Sequence, residues 1–302
     1  LEQIAARGES GGYMRAWRRP TGTALIAHLS LGLFSLFCTL PLWLIVAASF
    51  TDPVALTRNG FGLWPSQVSL EAYRYILAAP AQLLRSYLVT LAVTVSGVAI
   101  ATLLTAMLAW PLARQEFALR RPLSFLVFFA MLFNGGLVPY YLLVTRYLGL
   151  TDSFLALLVP YLVVPFYVLI LRTYFAQIPA ELLDAAAIDG AGELRIFFQI
   201  VVPISRPALA TVALLLALLY WNDWQTALYF IRSPELYPLQ YLLYAALENA
   251  RAIAAAPQSV AAPVSSIPLQ MAMAVLATGP AALAFLFFQK YLVRGIAMGS
   301  IK

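Results

Sequence analysis

Residues 177–207 read QIPAELLDAAAIDGAGELRIFFQIVVPISRP, a stretch that predicts two short helices joined by a glycine turn. Pro179 can open the first helix, because the N–H group that proline lacks has no partner in a first turn. Gly190 is expected to end that helix, since glycine readily adopts the left-handed conformation of a helix C-terminus. Residues 193–200 form a second amphipathic piece, and Pro203 marks the entry to the apolar segment that follows.

The first of these helices has the surface of a segment that binds in a protein groove. Glu181 and Asp184 lie in its first turns, where negative charge complements the helix dipole. Small and medium apolar side chains follow at helical spacing: Leu182, Leu183, Ala186 and Ala187. An amphipathic hairpin on lipid headgroups is the alternative, but three acids without a Lys or Arg in this helix match an anionic leaflet poorly.

The composition is that of an integral membrane protein. Of 302 residues, 62% are hydrophobic and 11% charged, whereas soluble domains have about 45–50% apolar and about 25% charged residues. His28 and Cys38 are the only residues of their types. They argue against a zinc site or a Cys/His nucleophile pair, and neither is given a role. The basic residues form no aromatic-interleaved stripe, so nucleic acid is not an expected partner.

Six stretches are apolar and long enough to cross a membrane, which takes about 20 residues of helix. The sequence therefore predicts an all-α integral membrane protein with spans at residues 24–50, 86–113, 123–147, 154–175, 207–231 and 267–291. The third span contains Asn134, Gly135, Gly136 and Pro139 in its middle. A kink or a break into two pieces is expected there.

The distribution of Arg and Lys predicts the orientation, because positive residues near span ends stay on the cytoplasmic side. Thirteen of the 19 lie in residues 1–23, 114–122, 172–206 and 290–302, and six lie in the opposite connections. Both termini are thus predicted to be cytoplasmic. The domains follow: a cytoplasmic segment 1–23, a permease domain 24–291 with a cytoplasmic loop 176–206, and a cytoplasmic tail 292–302.

Aromatic and polar residues cluster in the fifth span and suggest a sugar-binding surface. An indole face can stack on a pyranose while amide and carboxylate groups bind its hydroxyls. An aromatic belt at the outer membrane interface is the competing interpretation, and it is the more ordinary one because Trp and Tyr are commonly enriched there. The candidate pathway residues are Tyr220, Trp221, Asn222 and Trp224, beside Asp223 and Gln225.

The loop resembles the signature of permease subunits of ATP-binding-cassette importers. In that signature Glu-Ala-Ala is followed after three residues by Gly and, nine further on, by Ile-x-Leu-Pro. Here Asp184, Ala185 and Ala186 occupy the first three positions, Gly190 the fourth, and Ile200, Val202 and Pro203 the close. Asp184 replaces Glu and is one methylene shorter, and Val202 replaces Leu.

The resemblance covers nearly the whole chain and is closest to the sugar-importing branch. It includes SFTDP, LWPSQVSLEAYRYIL, NGGLVPYYLLVTRYLGL, YWNDW, SPELYPLQ and QKYLVRGIAMGSIK. The chain is most similar to the second, shorter permease of maltose-type transporters, in the subgroup for oligosaccharides and polysaccharide fragments. An acidic or complex oligosaccharide is the substrate hypothesis, although the positive charge of the chain is already explained by topology.

The resemblance implies a type I importer architecture in the bacterial inner membrane. Residues 180–198 would be the coupling helix in a cleft of an ATPase, with Glu181 among the coupling residues. The implied partners are a second permease forming a heterodimer, two ATPase subunits that bind ATP and Mg, and a solute-binding protein. Arg294 to Lys302 would reach between the ATPases, or would be a frayed polar end. The chain itself would have no catalytic residue, metal or cofactor.

Two other classes of membrane protein fit the sequence less well. A membrane-embedded lipid-modifying enzyme would need acids, histidines or a metal site at one membrane face, and Asp223, Glu235 and Glu248 lack such partners. An ion-coupled secondary carrier would show an internal repeat, which is not visible, and has no need of the signature loop.

Overall fold

The computed structural model describes residues 22–78, 80–255 and 267–282. Within these residues the chain forms fifteen α-helices, together with an isolated antiparallel bridge between Thr51 and Val68. The helices are α1 Gly22–Ser49, α2 Pro53–Asn59, α3 Glu71–Ile76, α4 Pro80–Ala113, α5 Arg120–Leu132, α6 Leu137–Leu142, α7 Phe154–Leu158, α8 Pro165–Phe175, α9 Ala180–Ile188, α10 Glu193–Ile196, α11 Val202–Ile204, α12 Arg206–Trp221, α13 Gln225–Phe230, α14 Leu239–Ala255 and α15 Ile267–Ala282.

Helix α4 is the centre of the packed structure and contacts α5, α7, α8, α12 and α14. Its buried face has small residues about one turn apart, which lets neighbouring backbones approach closely. The facing side of α12 buries one residue per turn. The α4 residues are Ser86, Thr90, Val93, Gly97, Ala101 and Thr105, and the α12 residues are Ala208, Val212, Leu216 and Tyr220.

Two helices among the described residues are long and apolar enough to cross a membrane unaided, residues 24–49 and 80–113. Three bent pairs of helices would bring the number to five if each pair is one span. The sixth predicted span is described only over Ile267–Ala282. Helix α1 is exposed from residue 25 to residue 43 and buried only in its last turn, as expected of a helix that mainly meets lipid or another membrane subunit rather than its own chain.

The predicted break in the third span is confirmed. α5 ends at Leu132, and the helical segment Leu137–Tyr147 leaves at 113° to it. Between them the side-chain Oδ1 of Asn134 accepts a hydrogen bond of 2.9 Å from the amide of Gly136. This bond satisfies one of the backbone groups that the break frees from helical pairing.

The fourth predicted span is interrupted, a feature that was not anticipated from the sequence. Residues 154–161 and 165–175 form two helical pieces bent by 47°. Val164 has extended backbone angles (φ −99°, ψ 114°) directly before Pro165, which occupies the first turn of α8. The ring of a proline disfavours the helical conformation of the preceding residue, and this explains the break.

The fifth span also ends earlier as a continuous helix than the predicted residue 231. α12 stops at Trp221, and Asn222 donates its side-chain amide to the carbonyl of Leu218 (2.8 Å). Asp223 then accepts a hydrogen bond from the amide of Thr226 (3.1 Å) in the first turn of α13. These side chains compete with the helical backbone pattern, which accounts for the interruption.

The contacts between connections fall into two groups. In one, Gln82 at the start of α4 donates to the carbonyl of Pro234 (2.6 Å), and Arg85 pairs with Glu235 (3.2 Å). In the other, Arg114 after the end of α4 pairs with Glu193 of α10 (3.7 Å). These contacts join loops that the charge count had assigned to the same side of the membrane.

Candidate functional site

A helical hairpin, defined as residues 179–203, occupies the connection between α8 and α12. Pro179 precedes α9, and the two short helices predicted on either side of Gly190 are present. Gly190 has φ +80°, its amide donates to Ala187 O (3.0 Å), and the amide of Ala191 donates to Ala186 O (3.0 Å). This is the Schellman arrangement that ends helices, and its left-handed residue explains why glycine stands here.

Helix α9 attaches to the body of the protein by one side only. Leu183 is 5% exposed and Ala186 packs against the main core. Glu181, Asp184 and Ala185 are exposed, with Leu182 and Ile188 exposed beside them. The free surface of the hairpin is therefore acidic and apolar together, a composition suited to a protein groove with a cationic rim.

The second half of the hairpin is anchored more deeply. Ile196 and Phe197 are 2% exposed, and the chain continues through a π-helical turn, Phe197–Val201, into α11. Ile200 and Pro203 are half-buried within this continuation. The signature residues thus divide into an exposed group at the start of the hairpin and a packed group at its end.

A cavity of about 400 Å³ lies where the breaks in the fourth and fifth spans meet. Interrupted membrane helices commonly line solute sites, because their freed backbone and polar groups need a wet or ligand-filled surrounding. The polar and aromatic residues of the cavity come from both breaks. They are Tyr161, Tyr167, Asn222, Asp223, Trp224 and Gln225, with Leu215, Leu218 and Leu219 as the apolar wall.

The structure divides the four candidate pathway residues. Asn222 and Trp224 line the cavity, and the Trp224 ring stacks on Tyr244 of α14 with centroids 4.3 Å apart. Trp221 faces the other way and donates its indole N–H to Ala277 O of α15 (3.1 Å). Tyr220 is 3% exposed, and its hydroxyl donates to Leu158 O (2.8 Å), so it belongs to the core of this chain.

Sequence reasoning missed three aromatic residues of the site. Tyr161 and Tyr167 come from the fourth span, about sixty residues before Asn222, and Tyr244 comes from α14. Pro160 and Pro165, which flank the break in the fourth span, were the available signal for the first two.

Two further predictions concern the C-terminal tail and metal binding. The predicted ATPase contact from Arg294 to Lys302 lies outside the described residues. The described part of the chain contains no group of three or more His, Cys, Asp or Glu side chains that could hold a metal ion.

Comparisons with known proteins agree on one family. The family described as "Binding-protein-dependent transport system inner membrane component" matches residues 25–298. The polygalacturonan/rhamnogalacturonan transport system permease protein YtcP of Bacillus subtilis is 38% identical over 89% of this chain and 94% of its own length. Protein LplC of the same organism is 36% identical over 91% and 92%.

Relatives with lower sequence identity are also named as parts of sugar or polysaccharide transporters. The trehalose/maltose transport system permease protein MalG of Thermococcus litoralis is 30% identical over 89% of this chain and 94% of its own length. Among solved structures, a chain of a bacterial ABC transporter involved in the import of the acidic polysaccharide alginate superposes with a TM-score of 0.74. It is 29% identical and covers 89% of this chain and 96% of its own length.

Proposed function

The chain belongs to the family of inner membrane components of binding-protein-dependent transport systems, and from that membership we propose that it is one of two permease subunits of an ATP-binding-cassette sugar importer. With a second permease it forms the pathway for an oligosaccharide delivered by a solute-binding protein. Separate ATPase subunits bind ATP and Mg and perform the only chemistry. The observation that carries the proposal is the exposed hairpin with its Schellman turn at Gly190.

The exposed side of the hairpin is the proposed contact with an ATPase. Glu181 and Asp184 would meet cations at the rim of an ATPase cleft, and Ala185 and Ala186 would fit its floor. Gly190 sets the turn between the two helices, while Ile200 and Pro203 belong to the packed end. The exposed first half and the packed second half of the hairpin support a coupling role, because a coupling element needs a free surface for the ATPase and a fixed attachment to the membrane helices.

The cavity between the two broken helices is the proposed contribution of this chain to the sugar pathway. Asn222, Asp223 and Gln225 offer hydroxyl-binding groups, and Trp224 stacked on Tyr244 offers an aromatic platform. Stacking against the apolar side of a pyranose and hydrogen bonding to its hydroxyls are the two components of sugar recognition. Of the remaining candidates, Trp221 would act by orienting α15 and Tyr220 by fixing α12.

The proposed topology has six spans over residues 24–291 and both termini in the cytoplasm. It is supported by the arginine and lysine asymmetry and by the contacts that group the loops into two sets. The hairpin and the tail 292–302 then lie on the ATPase side, with Arg294 and Lys302 as further contacts. The exposed apolar surface of α1 would meet lipid or the second permease.

The proposed substrate is an acidic or complex oligosaccharide. Support comes from the names of similar proteins, which include a polygalacturonan/rhamnogalacturonan permease and a transporter for the acidic polysaccharide alginate. A galacturonic acid oligomer and a neutral oligosaccharide of equal length are therefore the first two probes.

The test is ATP hydrolysis by the complete importer in liposomes, with binding protein and each probe added in turn. Asp184→Arg and Gly190→Trp are expected to abolish the sugar-stimulated part of hydrolysis. Glu71→Arg, the same kind of charge reversal on an exposed residue of α3, is the control and should hydrolyse ATP like the wild type. Stimulation that persists in both hairpin variants would refute the proposed coupling role.

A further inference from the structure

Three arginines, Arg114, Arg120 and Arg172, lie at the C-terminal end of α4. Besides contributing to the charge asymmetry that sets membrane orientation, they make specific contacts between helices. Arg120 of α5 and Arg172 of α8 both donate their Nε–H to the carbonyl of Leu112, at 3.1 and 3.2 Å. The last carbonyls of a helix have no partner within it, so these bonds satisfy an acceptor that would otherwise need water. They also fasten α5 and α8 to the same turn of α4.

The third arginine connects this turn to the hairpin. Arg114 lies with Cζ 5.5 Å from the centroid of the Trp110 ring, a cation–π distance. Its Nε is 3.4 Å from a carboxylate oxygen of Glu116, and its Nη2 is 3.7 Å from Oε1 of Glu193 in the first turn of α10. The Arg114 side chain is 21% exposed, whereas Glu116 and Glu193 are 73% and 65% exposed, so each contact joins a half-buried cation to a carboxylate that water also reaches.

An aromatic cluster lies beneath the ion pair. Trp110 packs with Phe197 of the hairpin at 6.5 Å between centroids and with Phe175 of α8 at 6.3 Å. All three side chains are buried. A close-packed contact of this kind transmits displacement without slipping. The second half of the hairpin is therefore joined to α4 by an apolar contact and by a charged one.

We propose that Arg114 is a positioning residue that transmits movement of the hairpin to α4, and through the Leu112 carbonyl to α5 and α8. Its ion pair with Glu193 keeps the hairpin in register with the Trp110–Phe197 contact. This inference rests on the proposed function, in which an ATPase moves the hairpin. Without the ion pair, ATP hydrolysis would continue, but a smaller part of the hairpin's displacement would be transmitted to the membrane helices.

The test is a double-mutant cycle in the complete importer in liposomes, with the probe sugar that stimulates the wild-type complex. The measured quantity is sugar transported per ATP hydrolysed. Arg114→Gln and Glu193→Gln are each expected to lower this ratio, by up to about fivefold for an ion pair of this kind. The double variant should be no worse than Arg114→Gln alone, because that change already removes the pair, and Arg114→Glu combined with Glu193→Arg should regain part of the loss.

The control is Arg195→Gln, which removes an exposed charge from the same helix and should leave the ratio unchanged. A double variant in which the two losses multiply would overturn the proposal. It would also be overturned if hydrolysis and transport fell in equal proportion, because that result means less active complex rather than poorer transmission.

A cross-link separates this inference from the proposed function. Cys38 is the only cysteine, so Ala187→Cys, a change of an exposed residue of α9, in a Cys38→Ala chain provides one reactive site on the hairpin. A cross-link to the ATPase in the Arg114 variants is expected. If it is missing already in the chain with Arg114 intact, the hairpin is not the ATPase contact and the proposed function fails. If only the Arg114 variants lose it, Arg114 serves assembly and the present inference fails.

Discussion

Gly97 of α4 lies directly under the ring of Tyr220 of α12. A Cβ atom at residue 97 would come within 2.5 Å of Cζ of the tyrosine and within 3 Å of both neighbouring ring atoms. The same ring packs edge-on against Tyr161 at 5.5 Å, and its hydroxyl donates to Leu158 O (2.8 Å). The absence of one methyl group thus lets α4, α12 and the fourth span meet at a single point.

Replacement of Gly97 by alanine is expected to destabilise the folded chain. The tyrosine cannot swing aside without losing its hydrogen bond and its contact with Tyr161, so overpacking should cost about 1–3 kcal/mol. The thermal unfolding midpoint of the detergent-solubilised complex measures this. Gly32→Ala in α1 is the control, because nothing lies within 4 Å of its added Cβ. Equal midpoints for the two variants would contradict the observed packing.

Replacement of Gly190 by alanine should loosen the turn of the hairpin, because an L-residue at φ +80° is strained by about 1–2 kcal/mol. The amide of Ala191, which donates to Ala186 O, should exchange its hydrogen faster. Gly190→Asn should have a smaller effect, since asparagine tolerates this conformation better. Gly192→Ala is the matched control, because residue 192 has φ −72° and open space around it. Similar exchange in all three variants would argue against the Schellman turn.

The hairpin and the break in the third span were predictable because their signals are local. Pro179 and Gly190 stand at the ends of α9, and Asn134 to Pro139 interrupts an apolar run. For the cavity, the sequence predicted only the residues that the fifth span contributes. Its remaining aromatics come from distant segments, and which side of an apolar helix faces which neighbour depends on packing that one sequence does not reveal.

The break in the fourth span shows a second limit of sequence reasoning. Length and hydropathy mark residues 154–175 as one membrane span and by themselves indicate no break, although Pro160 and Pro165 lie within the run. Pro165 determines the outcome, because Val164 before it is extended. A membrane helix exposes polar groups at such a break. Because the break was not predicted, Tyr161 and Tyr167 were not predicted as residues of the candidate sugar site.

Asp152 joins the connection after the third span to the one after the fifth, and it gives the chain a pH-dependent contact. It accepts a hydrogen bond from the hydroxyl of Ser233 (2.5 Å) and two from the amides of Arg232 and Ser233 (2.9 Å each). These bonds favour the charged carboxylate, so the Ser233 hydroxyl first, and then the two amides, hold the pKa of Asp152 below its ordinary value of 3.8.

The lowered pKa fixes the direction of the pH effect. A group whose pKa is lower in the folded state stabilises the fold above the unfolded-state pKa, and this contribution is lost as the pH falls through the folded-state pKa. Asp152→Asn keeps the left-handed backbone (φ +56°), which asparagine tolerates. The wild type should therefore unfold at a higher temperature than the variant at pH 7, and the difference should shrink below about pH 4. A difference that stays constant to low pH would exclude the carboxylate as its source.

Asn222 is the cavity residue whose removal should most directly separate transport from hydrolysis. Its side-chain amide N–H donates to Leu218 O within the last turn of α12, so its Oδ1 is not used in that bond, and the residue lines the cavity. Asn222→Ala is expected to lower uptake of the stimulating sugar severalfold, as the loss of one or two hydroxyl contacts worth about 1 kcal/mol each would do. Hydrolysis stimulated by the binding protein should be partly retained, because the hairpin is untouched.

Asn59→Ala, the same change on an exposed residue at the end of α2, is the control. Uptake by Asn222→Ala equal to that of the control would exclude this cavity from the pathway, and the sugar would then pass along a surface contributed mainly by the second permease.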